Sequence, residues 1–248
     1  MTGSGKIFFA SDFHLGLETG SPPLVREKKV VSWLDKIAPQ ADEIYLVGDV
    51  FDFWYEYKRV VPRGFTRFLG TVSKITDAGI PVHFFTGNHD MWIGDYLTNE
   101  CGVIMHTKPF TTFFNGKKFH IAHGEGLGSK NSGYKILLGI FHSRITTTLF
   151  SSLHPSIGVG LGHRWSLSSR LATGISLEFM GEDKEDLIRY ALSFSVADKI
   201  DFFIFGHRHL AMSYKLKNGA EILFLGDWIK HSSFAEWDGN NLALKTLE

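Results

Sequence analysis

The sequence predicts an α/β fold in which two mixed sheets pack together and helices flank them. Three observations predict it. Short apolar runs of strand length recur along the chain; amphipathic helical stretches separate the first of them; and several runs end abruptly in carboxylate, amide or imidazole side chains. With 248 residues and 44% hydrophobic content the chain can bury one substantial core. That suits a single domain over 1–248 that carries a helical insertion at about 131–180.

The first strand, Ile7-Phe8-Phe9-Ala10, runs into Asp12-Phe13-His14. Val30, Trp33, Leu34 and Ile37 then recur at helical spacing behind the charged run Arg26 to Lys29, an amphipathic crossover helix that Pro39 ends. A second strand, Glu43 to Val47, leads into Gly48-Asp49 and the aromatic cluster Phe51, Phe53, Trp54, Tyr55 and Tyr57, and a helix is expected from Gly64 to Ala78 with Gly79 closing it. The third strand, Pro81 to Phe85, ends in Gly87-Asn88-His89-Asp90. Two short strands, Val103 to His106 and Phe110 to Phe114, pass through the hairpin signal Asn115-Gly116 into Lys118-Phe119-His120-Ile121-Ala122-His123. From Asn131 to Phe179 the pattern is helical, with Tyr134, Leu137, Leu138 and Phe141 on one face. Leu187, Tyr190, Ala191 and Phe194 mark a further helix before the strand Asp201 to Phe205 and Gly206-His207-Arg208-His209, and short strands around Gly219, Gly226 and Gly239 read as a closing meander.

Lysine plus arginine equal aspartate plus glutamate at 26 each, so global charge selects no nucleic-acid partner. Cys101 is the only cysteine, which excludes an intramolecular disulfide framework and fits a reducing compartment. The chain passes from Met1-Thr2-Gly3-Ser4-Gly5 straight into its first strand without a secretory leader, so a cytoplasmic location is expected.

Collected, the strand-end groups are Asp12, His14, Asp49, Asn88, His123, His207 and His209. In an open α/β sheet the rim outside the carboxyl ends of the strands is where ligands bind. Residues two apart on a strand share a face, so Asp12 with His14, and His207 with His209, can converge. Seven such donors exceed one tetrahedral ion. Two five- or six-coordinate ions that share one carboxylate would use them, with Asp49 as the bridge, and imidazole with carboxylate suits Mn²⁺, Fe²⁺ or Zn²⁺. A lone pair of this kind is a weak signal; five strand ends in one fixed order are a strong one.

The series Asp12-x-His14, Gly48-Asp49-x-x-Asp52, Gly87-Asn88-His89-Asp90, His123-Gly124 and Gly206-His207-x-His209 resembles the calcineurin-like metallophosphoesterase superfamily over most of the chain. The resemblance implies a four-layer α/β/β/α sandwich and a dinuclear site. It assigns Asp12, His14, Asp49 and His209 to one ion, and Asp49, Asn88, His123 and His207 to the other. It also makes His89 a group that touches the phosphate or protonates the leaving oxygen, with Asp90 or Asp52 orienting it. Imidazole titrates close enough to neutrality for that work. His83, His106, His120, His142 and His154 have no motif around them and are expected to be satisfied or surface histidines.

The insertion bears on the substrate. From Gly126 to Leu177 there is no Asp or Glu, while Lys130, Lys135, Arg144, Arg164 and Arg170 stand among Ile, Leu and Phe residues. An anionic head with apolar tails suits such a stretch, as does a basic helical hairpin packed on the scaffold. His142 and Arg144 interrupt its longest apolar piece, so surface association with a membrane is open to it and a spanning helix is not. Gly48 to Trp54, His123-Gly124-Glu125-Gly126-Leu127 with Gly133-Tyr134, and Leu225-Gly226-Asp227-Trp228 together resemble the bacterial UDP-2,3-diacylglucosamine pyrophosphohydrolases of lipid A biosynthesis. That resemblance implies attack of a metal-held hydroxide on the α-phosphorus of the acylated UDP-sugar, giving UMP and 2,3-diacylglucosamine 1-phosphate (lipid X). It implies two divalent ions, Mn²⁺ foremost, and a peripheral place on the inner face of the inner membrane. Asn88, His89, Asn131, Arg164, Ser168, Ser169 and Arg170 would contact the substrate. Many members of the family carry Arg at the place of His89 and Asp at that of Glu125, which keeps open a broader phosphodiesterase acting on another nucleotide or phospholipid-like substrate. An inactive fold relative that only binds membrane or partners would show broken ligand positions, and here all seven stand.

Overall fold

The computed structural model describes residues 5–129, 132–141, 143–173, 178–194 and 196–247. Its first sheet holds β1 (Lys6–Ala10), β2 (Ala41–Val47), β3 (Val82–Phe85), β4 (Ile104–His106), β10 (Ser233–Trp237) and β11 (Leu242–Thr246), in the order β11-β10-β1-β2-β3-β4. The second holds β5 (Phe110–Phe114), β6 (Lys117–Ala122), β7 (Phe202–Phe205), β8 (Ala211–Lys215) and β9 (Glu221–Leu225), in the order β5-β6-β7-β9-β8. Strands β1 to β4 are parallel to one another, as are β6, β7 and β9; the remaining strands pair antiparallel.

Alternation along each strand builds the layers. Phe8, Ile44, Leu46 and Phe84 face outward onto Val30, Trp33 and Leu34 of α1 (Pro23–Ile37) and Phe68, Val72 and Ile75 of α2 (Thr66–Asp77). Their neighbours Phe9, Tyr45, Val47 and Phe85 face the opposite way, between the sheets, against Phe119, Ile121, Ile204 and Leu223. On the far side, Phe203, Phe205, Ile222 and Phe224 meet Leu187, Ile188 and Ala191 of α7 (Asp186–Leu192). The order is therefore helix, sheet, sheet, helix, and strands covered on both faces read as unbroken apolar runs for that reason. Each large side chain so buried stabilises the fold by roughly 1.5–3 kcal/mol.

The hairpin at Asn115-Gly116 forms as expected, with φ of 47° and 78°, both left-handed as a two-residue primed turn requires. One expectation needs correction. The closing strands are not one meander: β8 and β9 form a hairpin in the second sheet, after which the chain crosses back and β10 pairs antiparallel with β1, Ile7 opposite Trp237. The charged run at the start of α1 divides between solvent, for Lys28 and Lys29, and the interior. Arg26 and Glu27 are buried. Arg26 Nη1 donates to the carbonyls of His14 (2.7 Å) and Leu17 (3.2 Å), which pins the loop after β1. Glu27 accepts from the N–H groups of Arg67 and Phe68 at the start of α2, whose first-turn donors lack helical partners.

Between β6 and α7 lie α3's later companions: after α3 (Tyr96–Cys101) the remaining helices are α4 (Ser132–Phe141), α5 (Arg144–Ser151) and α6 (Pro155–Thr173). Among the described residues no helix is long and apolar enough to cross a membrane.

Arg208 is locked to the far layer by Glu185, which lies at the start of α7 and is wholly buried; its two oxygens accept from Arg208 Nη2 and Nε at 2.9 Å each. Burial works against the charge of Glu185, yet Arg208 and the Met180 N–H hold its carboxyl below the usual carboxylate range. A depressed folded-state pKa contributes stability that is present at neutral pH and is lost as pH falls through it. Replacing Glu185 by Ala removes both of these bonds from the Arg208 guanidinium, so the variant should lose roughly 3–5 kcal/mol in urea unfolding at pH 7. The gap to the parent should narrow as pH falls below the usual carboxylate range and the parent carboxylate also protonates.

Candidate metal centre

The parallel strands β1, β2, β3, β6 and β7 all end at one rim, and the polar residues that follow them converge there. Five of these residues hold left-handed backbone: Asp12 (φ 56°), His14 (44°), Asp49 (51°), His207 (64°) and His209 (52°). Each costs of the order of 1 kcal/mol or more for a residue with a Cβ. Bonds between neighbouring loops hold them: Asp12 N–H to Gly48 O (3.0 Å), His14 N–H to Asp49 O (3.0 Å) and Trp228 N–H to Asp12 O (3.1 Å). The loops lie so close that a Cβ on Gly87 would overlap the Asp49 carboxylate and come within 2.6 Å of its backbone nitrogen.

The side chains then meet. His209 Nε2 lies 3.4 Å from both His14 Nε2 and Asp12 Oδ1. Asp49 Oδ2 lies 3.8 Å from His14 Nε2 and 3.4 Å from His123 Nε2, and so reaches both flanks of the cluster. His207 Nδ1 is 3.0 Å from Asn88 Oδ1. Three sets of donor atoms each gather within 4.8 Å: Asp12, His14 and His209; Asp12, Asp49 and His123; and His14, Asp49 and His89. All seven residues expected as ligands are thus together, with His89 beside them.

Cations fit this donor set. Asp12 Oδ1 and His123 Nε2 are fully buried without a hydrogen-bond partner, a state that costs about 1–3 kcal/mol or more per atom unless something coordinates it. The opposite ring nitrogens are oriented for ligation. His123 Nδ1–H donates to Val47 O at 2.9 Å, and His209 Nδ1 faces Asp227 Oδ2 at 3.3 Å, which turns each Nε2 toward the cluster. Burial works against the charge of Asp227, but bonds from His209 and the Lys230 N–H, with His231 at 3.2 Å, hold its carboxyl well below the usual carboxylate range.

His89 Nδ1–H donates to the backbone carbonyl of Asp52 at 2.9 Å, leaving Nε2 facing the centre, 4.0 Å from Asp49 Oδ2. Asp52 therefore orients it, through the main chain. Asp90 does not. Its Oδ2 accepts from the N–H groups of Val50 (2.8 Å) and Phe51 (3.3 Å) and its Oδ1 from that of Gly87 (2.7 Å), because a fully buried carboxylate is satisfied by the nearest backbone donors. Burial and the neighbouring Asp49 charge push its carboxyl up to about 7. The Asp52 carboxylate accepts from Ser166 Oγ of α6 at 2.9 Å.

A cavity of about 500 Å³ opens onto Asn88 and His89. Its walls include Phe53, Trp92, Phe141 and Phe150, with Leu161, Arg164 and Trp165 of α6. Arg164 thus lines the same cavity as Asn88 and His89. Asn131 lies outside the described residues; Ser168, Ser169 and Arg170 belong to α6, and their side chains lie outside the described set as well. Sequence reading gave no role to Asp227, Trp92 or Ser166. Asp227 stood inside a quoted motif, whereas Trp92, whose Nε1–H donates to Phe141 O at 3.0 Å, and Ser166 carry no periodic or spacing signal. His83 and His106 pair with each other at 2.8 Å and His120 with Thr111 and Tyr190, away from the centre.

Comparison with known proteins agrees with this geometry. The model of the calcineurin-like phosphoesterase family matches residues 5–211. A UDP-2,3-diacylglucosamine hydrolase of Porphyromonas gingivalis (strain ATCC BAA-308 / W83) is 41% identical over 98% of both chains. Another, from Hahella chejuensis, is 27% identical over 97% of this chain and 96% of its own. Among solved structures, the E. coli phosphoesterase Yfce covers 97% of this chain and 92% of its own at 13% identity and a TM-score of 0.47. A match that runs through all of these strand ends admits one conclusion: the chain belongs to the calcineurin-like phosphoesterase family, and within it to the family of that Porphyromonas hydrolase.

Proposed function

We propose that this chain hydrolyses the pyrophosphate bond of UDP-2,3-diacylglucosamine to UMP and 2,3-diacylglucosamine 1-phosphate. One observation carries the reading: the apolar cavity of about 500 Å³ that opens directly onto Asn88 and His89, where phosphates would meet the centre while acyl chains leave water. The activity named for the Porphyromonas relative supports it.

Calcineurin-like phosphoesterases use a dinuclear metal site. In our reading Asp12, His14, Asp49 and His209 hold one ion and Asp49, Asn88, His123 and His207 the other, both Mn²⁺. Such ions, when bound, neutralise phosphate charge and lower the pKa of water. His89, steadied by the Asp52 carbonyl, presents Nε2 to contact the phosphate or protonate the departing oxygen. Asp90 acts indirectly, by bracing the loops that carry Asp49 and Asn88. Arg164 adds a cation at the cavity, and Asn131, Ser168, Ser169 and Arg170 complete the substrate contacts in this reading. The segment of about 131–180 serves the single domain as a lid that excludes water during reaction.

The same lid carries exposed Ile136, Ile140, Ile145, Leu149, Ile157 and Trp165 within the stretch from Gly126 to Leu177, which has no Asp or Glu. Such a surface seats in an anionic headgroup layer. We place the protein peripherally on the inner face of a bacterial inner membrane, where an acylated UDP-sugar would lie, and assign it no nucleic-acid partner.

UMP release from UDP-2,3-diacylglucosamine is the direct test. Remote acyl contacts that position the pyrophosphate raise kcat/KM, so UDP-GlcNAc and bis-nitrophenyl phosphate should be far poorer substrates. Comparable kcat/KM on acylated and unacylated sugar nucleotides would sink the reading. In ¹⁸O-water the label should enter UMP; label in the sugar phosphate would move the attack to the other phosphorus.

Asp49→Ala removes the carboxylate that reaches both flanks, and EDTA should mimic it until Mn²⁺ is restored. Metal analysis checks this, and full activity in stripped protein would overturn the two-ion assignment. His89→Ala should lower kcat roughly 10²–10⁴-fold at unchanged metal stoichiometry. Loss of an ion, with rate regained in excess metal, would instead make His89 a ligand.

A further inference from the structure

Asp52 steadies His89 through its carbonyl, which leaves the buried carboxylate of the same residue to be accounted for. Its Oδ1 lies 3.7 Å from His14 Nδ1 and 3.9 Å from His89 Nδ1. It therefore stands behind two imidazoles at once, whose rings are 4.8 Å apart and nearly perpendicular. In both, the other nitrogen is the one at the centre: His14 Nε2 meets His209 and Asp49, and His89 Nε2 faces Asp49. A carboxylate on the outer side of a metal-binding histidine fixes the orientation of the ring.

The same oxygen accepts from Ser166 Oγ of α6 at 2.9 Å. Ser166 is 1% and Asp52 2% exposed, so bulk water does not stand in for the hydroxyl. The sequence of α6 is shaped to make this bond. Gly158, Gly162 and Ser166 recur every fourth residue and share one face of the helix. A Cβ on Gly158 would overlap Tyr57 Oη, and one on Gly162 would overlap the Phe53 ring. The helix thus lies directly on the loop from Asp52 to Tyr57, with bare backbone where a side chain would hold it off. Gly158 meets Tyr57, Gly162 meets Phe53 and Ser166 meets Asp52, so helix and loop pass each other in opposite directions. The third member of the row is the smallest residue that brings a hydroxyl donor.

We infer that Ser166 is a positioning residue: from the inserted helix it fixes the Asp52 carboxylate, which in turn sets the rings of His14 and His89. This rests on the roles proposed above for those two histidines. The insertion is then part of the support of the centre as well as a wall of the cavity that opens onto it.

Ser166→Ala removes the hydroxyl and little else, and Asp52→Ala with the double variant completes a cycle. Metal-free protein titrated with Mn²⁺ gives the first readout. One of the two ions should bind roughly tenfold more weakly in Ser166→Ala and the other as in the parent. An isotherm like the parent's would overturn the proposal. Turnover of bis-nitrophenyl phosphate, which has no acyl chain for the helices to hold, gives the second. At saturating Mn²⁺, kcat should fall roughly tenfold on it and on the acylated UDP-sugar alike, as loss of a hydrogen bond to a charged group implies. KM should stay within about twofold of the parent's. A serine that only fastened the helix would spare the small substrate and raise KM on the large one, and that result would overturn the proposal. The double variant should be slower than Asp52→Ala by no more than about twofold, whereas losses that multiply would place the action of Ser166 elsewhere and overturn it as well. A parent inactive on both substrates would overturn the reaction proposed above, and the Mn²⁺ titration would then decide the role of Ser166 by itself.

Discussion

Everything at the rim depends on loops that hold one another. The Asp90 carboxylate takes backbone N–H groups from the loop after β2 and from its own loop after β3, so one buried side chain sets the separation of Asp49 from Asn88. Arg26 does the equivalent for the loop after β1, and Glu185 for the residue between His207 and His209. None of these touches the centre. Each instead supports a backbone that would not keep left-handed φ on its own, which is how five residues with side chains persist in a region that favours glycine.

Much of this was legible in the residues because the scaffold repeats one unit. A parallel strand covered on both faces must be apolar throughout and must end where the sheet ends, so a switch from Phe or Val to Asp, Asn or His marks both a strand end and a candidate ligand. Seven side chains could be collected that way. The supports could not, because Asp90, Arg26 and Glu27 look like loop or surface charges until tertiary structure buries them. Asp90 sits next to His89 in sequence, which made a partnership natural to expect; its carboxylate turns to the Gly87 N–H instead. The closing strands were misread for a related reason: short strands spaced by glycines look alike whether consecutive ones share a sheet or change sheets.

The inserted helices join the scaffold through specific contacts. Ser166 reaches the Asp52 carboxylate, Trp92 bonds the carbonyl of Phe141, and Tyr55 Oη donates to Thr147 O at 2.8 Å, so α4, α5 and α6 each have a polar tether to the loops around His89. Between these tethers Phe53 and Trp92 meet the Phe150 ring, and Trp92 meets that of Phe141.

The pairing of β10 with β1 gives the chain an order of assembly. Ile7 lies opposite Trp237, so the strand that delivers Asp12 and His14 is completed by one that follows all the other strand ends of the centre in sequence. Without β10 this edge of β1 is bare, and Trp228, whose N–H donates to the Asp12 carbonyl, lies just ahead of β10. Contacts so distant in sequence form slowly, and an unpaired apolar strand invites association with other chains. The placing of Asp12 and His14 therefore depends on one long-range pairing, that of β10 with β1.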